Sequence, residues 1–216
     1  FKVAIQRGFK LAKNERLVTF GIKPSYPETG YGYIESTKEL SETNPTSKIK
    51  HFIEKPVKKV AEEIYRSKLY TWNSGIFLFK TSLIINEINK HYPKIISVCR
   101  DSMKENMNDL EFQRINEVVF KDCPEVSIDN AVMENTKIGT VTKLDSGWSD
   151  IGNWKTLWER SNKDQNANKL IGKTLIKDSE NCYLRSEKRL TVGLGIKNIA
   201  VIETQDAVLV ADINHL

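Results

Sequence analysis

Apolar positions Phe1, Ala4, Ile5, Gly8 and Ala12 fall at helical spacing and predict an opening helix stopped near Asn14. Leu17-Val18-Thr19-Phe20-Gly21-Ile22 then reads as a buried strand closed by Lys23-Pro24. A loop with Pro24, Pro27 and Gly30 leads to a second strand, Tyr31 to Glu35. Gly32 lies inside that predicted strand, where a glycine marks a bulge or a close approach by a ligand or another backbone. Residues 36–47 are polar and predict an exposed connection, and Lys48 to Glu54 predicts a third strand stopped by Pro56. Val57, Val60, Ala61, Ile64, Tyr65 and Leu69 describe one helical face.

Residues 70–79 run from loop into a buried strand, and Thr81 or Ser82 caps a helix carrying Leu83, Ile84, Ile88 and Tyr92. Pro93 opens another helix through Met103, and residues 104–126 carry no clear period. Ser127 caps a short helix through Glu134, residues 137–144 predict a strand, and Trp154, Leu157 and Trp158 mark a helix from Ile151 to Ser161. Beyond Asp164 the helical period gives way to short β runs at 169–176, 182–185, 190–196, 199–203 and 208–210. The expected division is therefore 1–163 and 164–216, with a small sandwich, barrel or β-solenoid second. In the first part strands alternate with helices, which predicts an α/β fold with a largely parallel sheet covered on both faces.

With 39% hydrophobic and 28% charged residues, the chain has the make-up of a globular protein. Its apolar runs are too short to cross a membrane. The net charge of +5 is spread out, and no basic stripe alternates with aromatics, which argues against nucleic-acid binding. Three distant cysteines (Cys99, Cys123, Cys182) have no metal-ligand spacing with the three histidines and predict buried thiols in a reducing cytoplasm. Phe1-Lys2-Val3-Ala4 lacks the plan of a secretory signal, and an opening without Met suits a fragment.

Sheets of the predicted kind bind ligands beyond the carboxyl ends of their strands. Gly32, Glu54-Lys55, Asn73-Ser74 and Asp150 are candidates to meet there. Gly32 admits a close ligand, Glu54 can accept from sugar hydroxyls, and Lys55 can neutralise a phosphate. The Asn73 amide can donate and accept, and Asp150 could ligate magnesium beside phosphate oxygens. Plainer explanations stand beside these: a solvated strand end for Glu54-Lys55, a turn for Asn73 and a helix N-cap for Asp150. Gly193-Leu194-Gly195 is no dinucleotide fingerprint, and P-loop, zinc-protease, nucleophile-elbow and triad patterns are missing.

Pro27-Glu28-Thr29-Gly30-Tyr31-Gly32-Tyr33-Ile34, Phe52-Ile53-Glu54-Lys55-Pro56 and Trp72-Asn73-Ser74-Gly75-Ile76-Phe77 resemble the mannose-1-phosphate guanylyltransferase family in order and spacing. So do Leu17 to Ile22, Ser127-Ile128-Asp129, Ala131 to Glu134, Gly147 to Gly152 and Thr204 to Val210. The resemblance is to bacterial members often fused to a mannose-6-phosphate isomerase domain. It implies the remainder of a Rossmann-like nucleotidyltransferase mixed sheet with helices on both faces, plus a small C-terminal β-helix-like domain. It also implies formation of GDP-mannose and pyrophosphate from GTP and mannose 1-phosphate with Mg2+. By that resemblance Gly32, Glu54 and Asn73 hold the mannose, Lys55 the sugar phosphate, and Asp150 the magnesium. Asp129 enters as a motif residue without an assigned role. The family's glycine-rich nucleotide loop would precede Phe1, and Asn130 and Asn153 depart from the family pattern. A non-catalytic sugar-phosphate-binding or dimerisation module, or the same chemistry on another hexose 1-phosphate, stays open. Exposed strand edges in the second part suggest a homodimer.

Overall fold

Helix α1 (Lys2–Lys13) buries the small residues Ala4, Gly8 and Ala12, so it can lie close on the strands beneath it. Those strands are β1 (Leu17–Ile22) and β7 (Gly139–Lys143), which pair in parallel. A computed structural model describes residues 1–104, 107–109 and 111–216 and divides them into two compact units, Phe1–Trp148 and Ser149–Leu216.

The first unit continues with β2 (Tyr33–Ser36), β3 (Thr46–Ile53), α2 (Lys58–Ile64), β4 (Tyr70–Leu78), α3 (Thr81–His91) and α4 (Pro93–Lys104). A small β5 (Met107–Asp109) and β6 (Phe112–Arg114) pair, α5 (Glu117–Phe120) and a π-helical turn (Asp129–Met133) precede β7. Five strands of the described residues close in the order β1-β4-β2-β3-β7. Only β1–β7 in this ring is parallel; the other four pairings are antiparallel, which corrects the largely parallel sheet expected from the sequence. The alternation of helices and strands did not reveal this because β2 and β3 are joined without a helix, and α2 is too short to carry a parallel crossover. The sheet is mixed, as the family resemblance implies.

Neighbouring residues of β1 serve opposite sides. Leu17 packs with Ile34, Phe52, Val141, Ile84 of α3 and the π-helical turn, whereas Val18 and Phe20 pack with Ala4, Ala12 and Leu144. Helices therefore cover both sides of β1. Cys182 alone of the three thiols is buried; Cys99 and Cys123 are half-buried, since they meet where α4 faces the segment after α5.

The second unit holds α6 (Trp154–Arg160), β8 (Lys169–Lys177), β9 (Tyr183–Leu194), β10 (Ile199–Glu203), β11 (Val208–Asp212) and a final 3-10 turn, Ile213–His215. Strands β8, β9 and β10 stack in parallel without intervening helices, and β11 returns antiparallel on β10. Trp154, Leu157 and Trp158 of α6 pack on Tyr183, Ala200, Ile202 and Ile213. That contact draws α6 into the second unit and moves the division ahead of the change in composition at 163/164. The helix starts at Trp154 rather than Ile151, because the Asn153 side chain caps it by accepting from the Thr156 N–H at 2.8 Å.

Two predicted β runs, 182–185 and 190–196, join as β9. Glu203 on β10 makes the joint. Its carboxylate, 1% exposed, accepts from the Ser186 hydroxyl at 2.9 Å, the N–H groups of Glu187 and Lys188 at 2.9 and 3.0 Å, and Arg189 Nη1 at 3.1 Å. Opposite this joint Gly172 has φ +78°, and a Cβ there would lie 1.8 Å from the Ser186 carbonyl oxygen. Only glycine fits.

Backbone donors from Lys188, joined by Ser186 and Glu187, pull the Glu203 carboxyl from its ordinary 4.5 down to about 2. A folded-state value below the unfolded one adds stability that is complete above about pH 4.5 and is lost as pH falls towards 2. Glu203→Gln is expected to lower the urea midpoint of the second unit at neutral pH and to flatten its acid dependence. Trp154 and Trp158 fluorescence reads both; midpoints matching wild type across the acid range would refute the role.

Candidate functional site

Strand β3 ends at Ile53, and Pro56 has no N–H with which to continue it. Between them Lys55 adopts φ +45°, a left-handed conformation that costs a non-glycine residue about 1–2 kcal/mol. The bend lets adjacent side chains that would diverge along a strand come together: Lys55 Nζ lies 3.7 Å from Glu54 Oε1. The Lys55 side chain is 66% exposed, so this pair offsets little of the strain. Uncompensated strain of this kind concentrates at functional positions.

Gly32 lies just before β2, not inside it as the sequence predicts, and its carbonyl accepts the Asn73 N–H at 2.7 Å. A Cβ on Gly32 would sit 2.6 Å from Glu54 Oε2 and 3.4 Å from the Asn73 Cβ. The Glu54 carboxylate thus occupies the space a side chain at 32 would need.

Asn73 is a buried residue of β4, not a turn residue. Its Oδ1 accepts from the Thr19 hydroxyl at 2.8 Å, and its Nδ2 donates to Asp129 Oδ1 at 3.1 Å. A bulge permits this approach. While β1 advances from Thr19 to Gly21, β4 runs from Phe77 to Asn73, and Gly75 takes φ +70° in the surplus. Ser74 beside it accepts the Ile76 N–H at 3.3 Å and closes the bulge locally. Asp129 starts the π-helical turn, whose defining bond runs from the Glu134 N–H to the Asp129 carbonyl at 3.0 Å.

Burial raises the Glu54 carboxyl above its ordinary range, and the Asp129 charge raises it further, against the pull of Lys55. Burial likewise raises Asp129, opposed by hydrogen bonds including the one from Asn73. Glu134 pushes both upward. Gly32, Glu54, Lys55, Asn73 and Asp129 are thereby gathered in one place, as an acceptor-rich interior with one ammonium on its rim. Such a set suits a neutral polyol bearing an anion at one end.

Sequence reasoning missed Thr19 and Glu134. Thr19 had a signal, being a hydroxyl inside the apolar run 17–22; Glu134 closes the stretch Ala131 to Glu134 that carries the resemblance, but its action by charge through space gave it no mark as a site residue. Asp150 belongs to the second unit, exposed and ahead of α6, and the capping explanation for it falls because Asn153 is the cap. Among the described residues no group of three or more His, Cys, Asp or Glu side chains is placed to hold a metal ion. Trp154 and Trp158 are core residues, and Trp148 meets Tyr31 edge-on at 5.6 Å. A groove of about 530 Å³ lined by Arg16, Lys38 and Lys48 shares no residue with this set. Among the described residues no helix is long and apolar enough to cross a membrane.

A family model described as Nucleotidyl transferase matches residues 1–167. The chain belongs to the nucleotidyl transferase family. Among proteins similar to this family member, a mannose-1-phosphate guanylyltransferase of Salmonella montevideo is 44% identical, over 99% of this chain and 46% of that protein. The alginate biosynthesis protein AlgA of Pseudomonas syringae pv. tomato is 40% identical, over 96% of this chain and 44% of its own length. A solved structure titled mannose-1-phosphate geranyltransferase, from Thermus thermophilus, superposes with a TM-score of 0.77 at 27% identity, over 98% of this chain and 60% of that one. The chain spans about half the length of the curated relatives it matches. The mixed α/β unit followed by a strand-rich unit agrees with the nucleotidyl transferase fold.

Asp129→Asn removes a neighbouring negative charge, so the Glu54 carboxyl is expected to titrate at lower pH in that variant. Carboxyl-carbon NMR titration reads the shift directly. An unchanged or higher Glu54 value would show that the two carboxylates are not coupled.

Proposed function

We propose that this chain binds mannose 1-phosphate and serves guanylyl transfer from GTP, which yields GDP-mannose and pyrophosphate. The observation that carries the reading is the convergence of Gly32, Glu54, Asn73 and Asp129 beside the strained Lys55. The names of relatives at 39–44% identity support the choice of sugar and nucleotide. In this reading Glu54 and Asp129 accept from mannose hydroxyls, Asn73 donates to one, and Gly32 leaves the room in which the Glu54 carboxylate is seated to meet the ring. Lys55 on the rim pairs with the phosphate.

A phosphate oxygen of mannose 1-phosphate attacks the α-phosphorus of GTP in line. The new P–O bond forms as the bond to the β-phosphate oxygen breaks, and pyrophosphate leaves with that electron pair. The nucleophile is already an anion, so no general base is needed. Positioning and charge neutralisation carry the rate. Magnesium takes one or two protein carboxylates beside phosphate oxygens; Asp150, exposed and not the cap of α6, is the carboxylate the resemblance would give it, and the ion would supply charge neutralisation.

Titration calorimetry of the chain with mannose 1-phosphate tests the reading. Lys55→Ala is expected to weaken binding about 10–100-fold, the loss of one charge-assisted contact of roughly 1.5–3 kcal/mol. Wild-type chain that gives no heat with mannose 1-phosphate, or a Lys55→Ala variant that binds it unchanged, would overturn the proposal.

A further inference from the structure

Thr19 is fully buried, on the side of β1 that carries Leu17 into an apolar cluster. Valine would serve the strand and that cluster at least as well. A buried hydroxyl is retained at little cost only where it has a partner, and here the partner is Asn73 Oδ1 at 2.8 Å, with the Ile76 carbonyl at 3.2 Å as a second acceptor. A hydroxyl owns a single proton, and its contact with Asn73 Oδ1 is the shorter of the two.

The two ends of an asparagine amide are nearly alike in shape, and which end faces a ligand decides whether the site donates or accepts. At Asn73 the orientation is determined from both sides. The Asp129 carboxylate accepts from Nδ2, which turns Oδ1 to Thr19, and the Thr19 hydroxyl donates to it. One Nδ2–H then remains for a ligand oxygen.

Resting on the mannose 1-phosphate reading for the ligand, we infer that Thr19 is a positioning residue. Its hydroxyl, opposed by the Asp129 carboxylate, locks the Asn73 amide so that the spare N–H meets a sugar hydroxyl oxygen. The lock acts on the sugar and not on the phosphate, which Lys55 holds.

NMR titration of the chain and of Thr19→Val, Thr19→Ser and Thr19→Cys with mannose 1-phosphate and with inorganic phosphate tests this. Thr19→Val is expected to bind mannose 1-phosphate about tenfold more weakly with phosphate binding unchanged, and the Asn73 side-chain NH2 signals should shift. Thr19→Ser keeps the donor and is expected to restore binding to within about threefold. Should Thr19→Val not fold, Thr19→Cys, similar in size with a weaker donor, is expected to show the same selective loss. Equal losses in the Ser and Val variants, or losses that include phosphate, would reduce Thr19 to a packing role and overturn the inference. If wild type binds no mannose 1-phosphate, the ligand reading fails by itself. The Asn73 NH2 signals still decide the lock, and signals unmoved by Thr19→Val would end it.

Discussion

The seating of β4 between β1 and β2 is the constraint on which the candidate site depends. In that register Trp72 lies opposite Ile22 on one side and Tyr33 on the other, and it buries itself against Tyr33 and Ala61. Side chains alternate along a strand, so burying Trp72 turns Asn73 to the other face. A slip by one residue would exchange them, sending an amide into the apolar cluster and an indole into the site. The hydrophobic contact of Trp72 therefore sets the position of the hydrogen bonds Asn73 makes with Thr19, Asp129 and Gly32.

The two units put carboxylates to opposite uses. Glu203 is buried among backbone and hydroxyl donors and is held well below the ordinary range, so its charge ties β9 to β10. Glu54 and Asp129 are half-buried with fewer donors and near one another's charge, and both are raised. The first carboxylate has committed its acceptor capacity to the fold. The other two keep capacity for a ligand, and the strained Lys55 stands where it can balance the charge of that ligand.

Much of this was legible in the chain. The strand β1, the helices α1 and α3, the stop at Pro56 and the Trp154/Trp158 face follow from periodicity and from what proline forbids. Gly32, Glu54, Lys55 and Asn73 were legible as candidates through their complementary chemistry and the family resemblance, although each alone had a plainer structural explanation. Antiparallel pairing was not legible, since a helix between two strands does not say how they meet when it is too short to cross over. Nor was the continuity of β9, because the tie at 186–189 comes from Glu203, distant in sequence.

Side-chain type and local period were enough to mark the candidate chemistry and most of the buried segments. It took the folded chain to bring Asp129 and Thr19 to Asn73. Their contacts span 56 and 54 residues, and hydrogen bonds over that separation exist only once the strands have chosen their neighbours. The left-handed turn at Lys55 also waited on the fold, because an L-residue adopts it only where the surroundings hold it there.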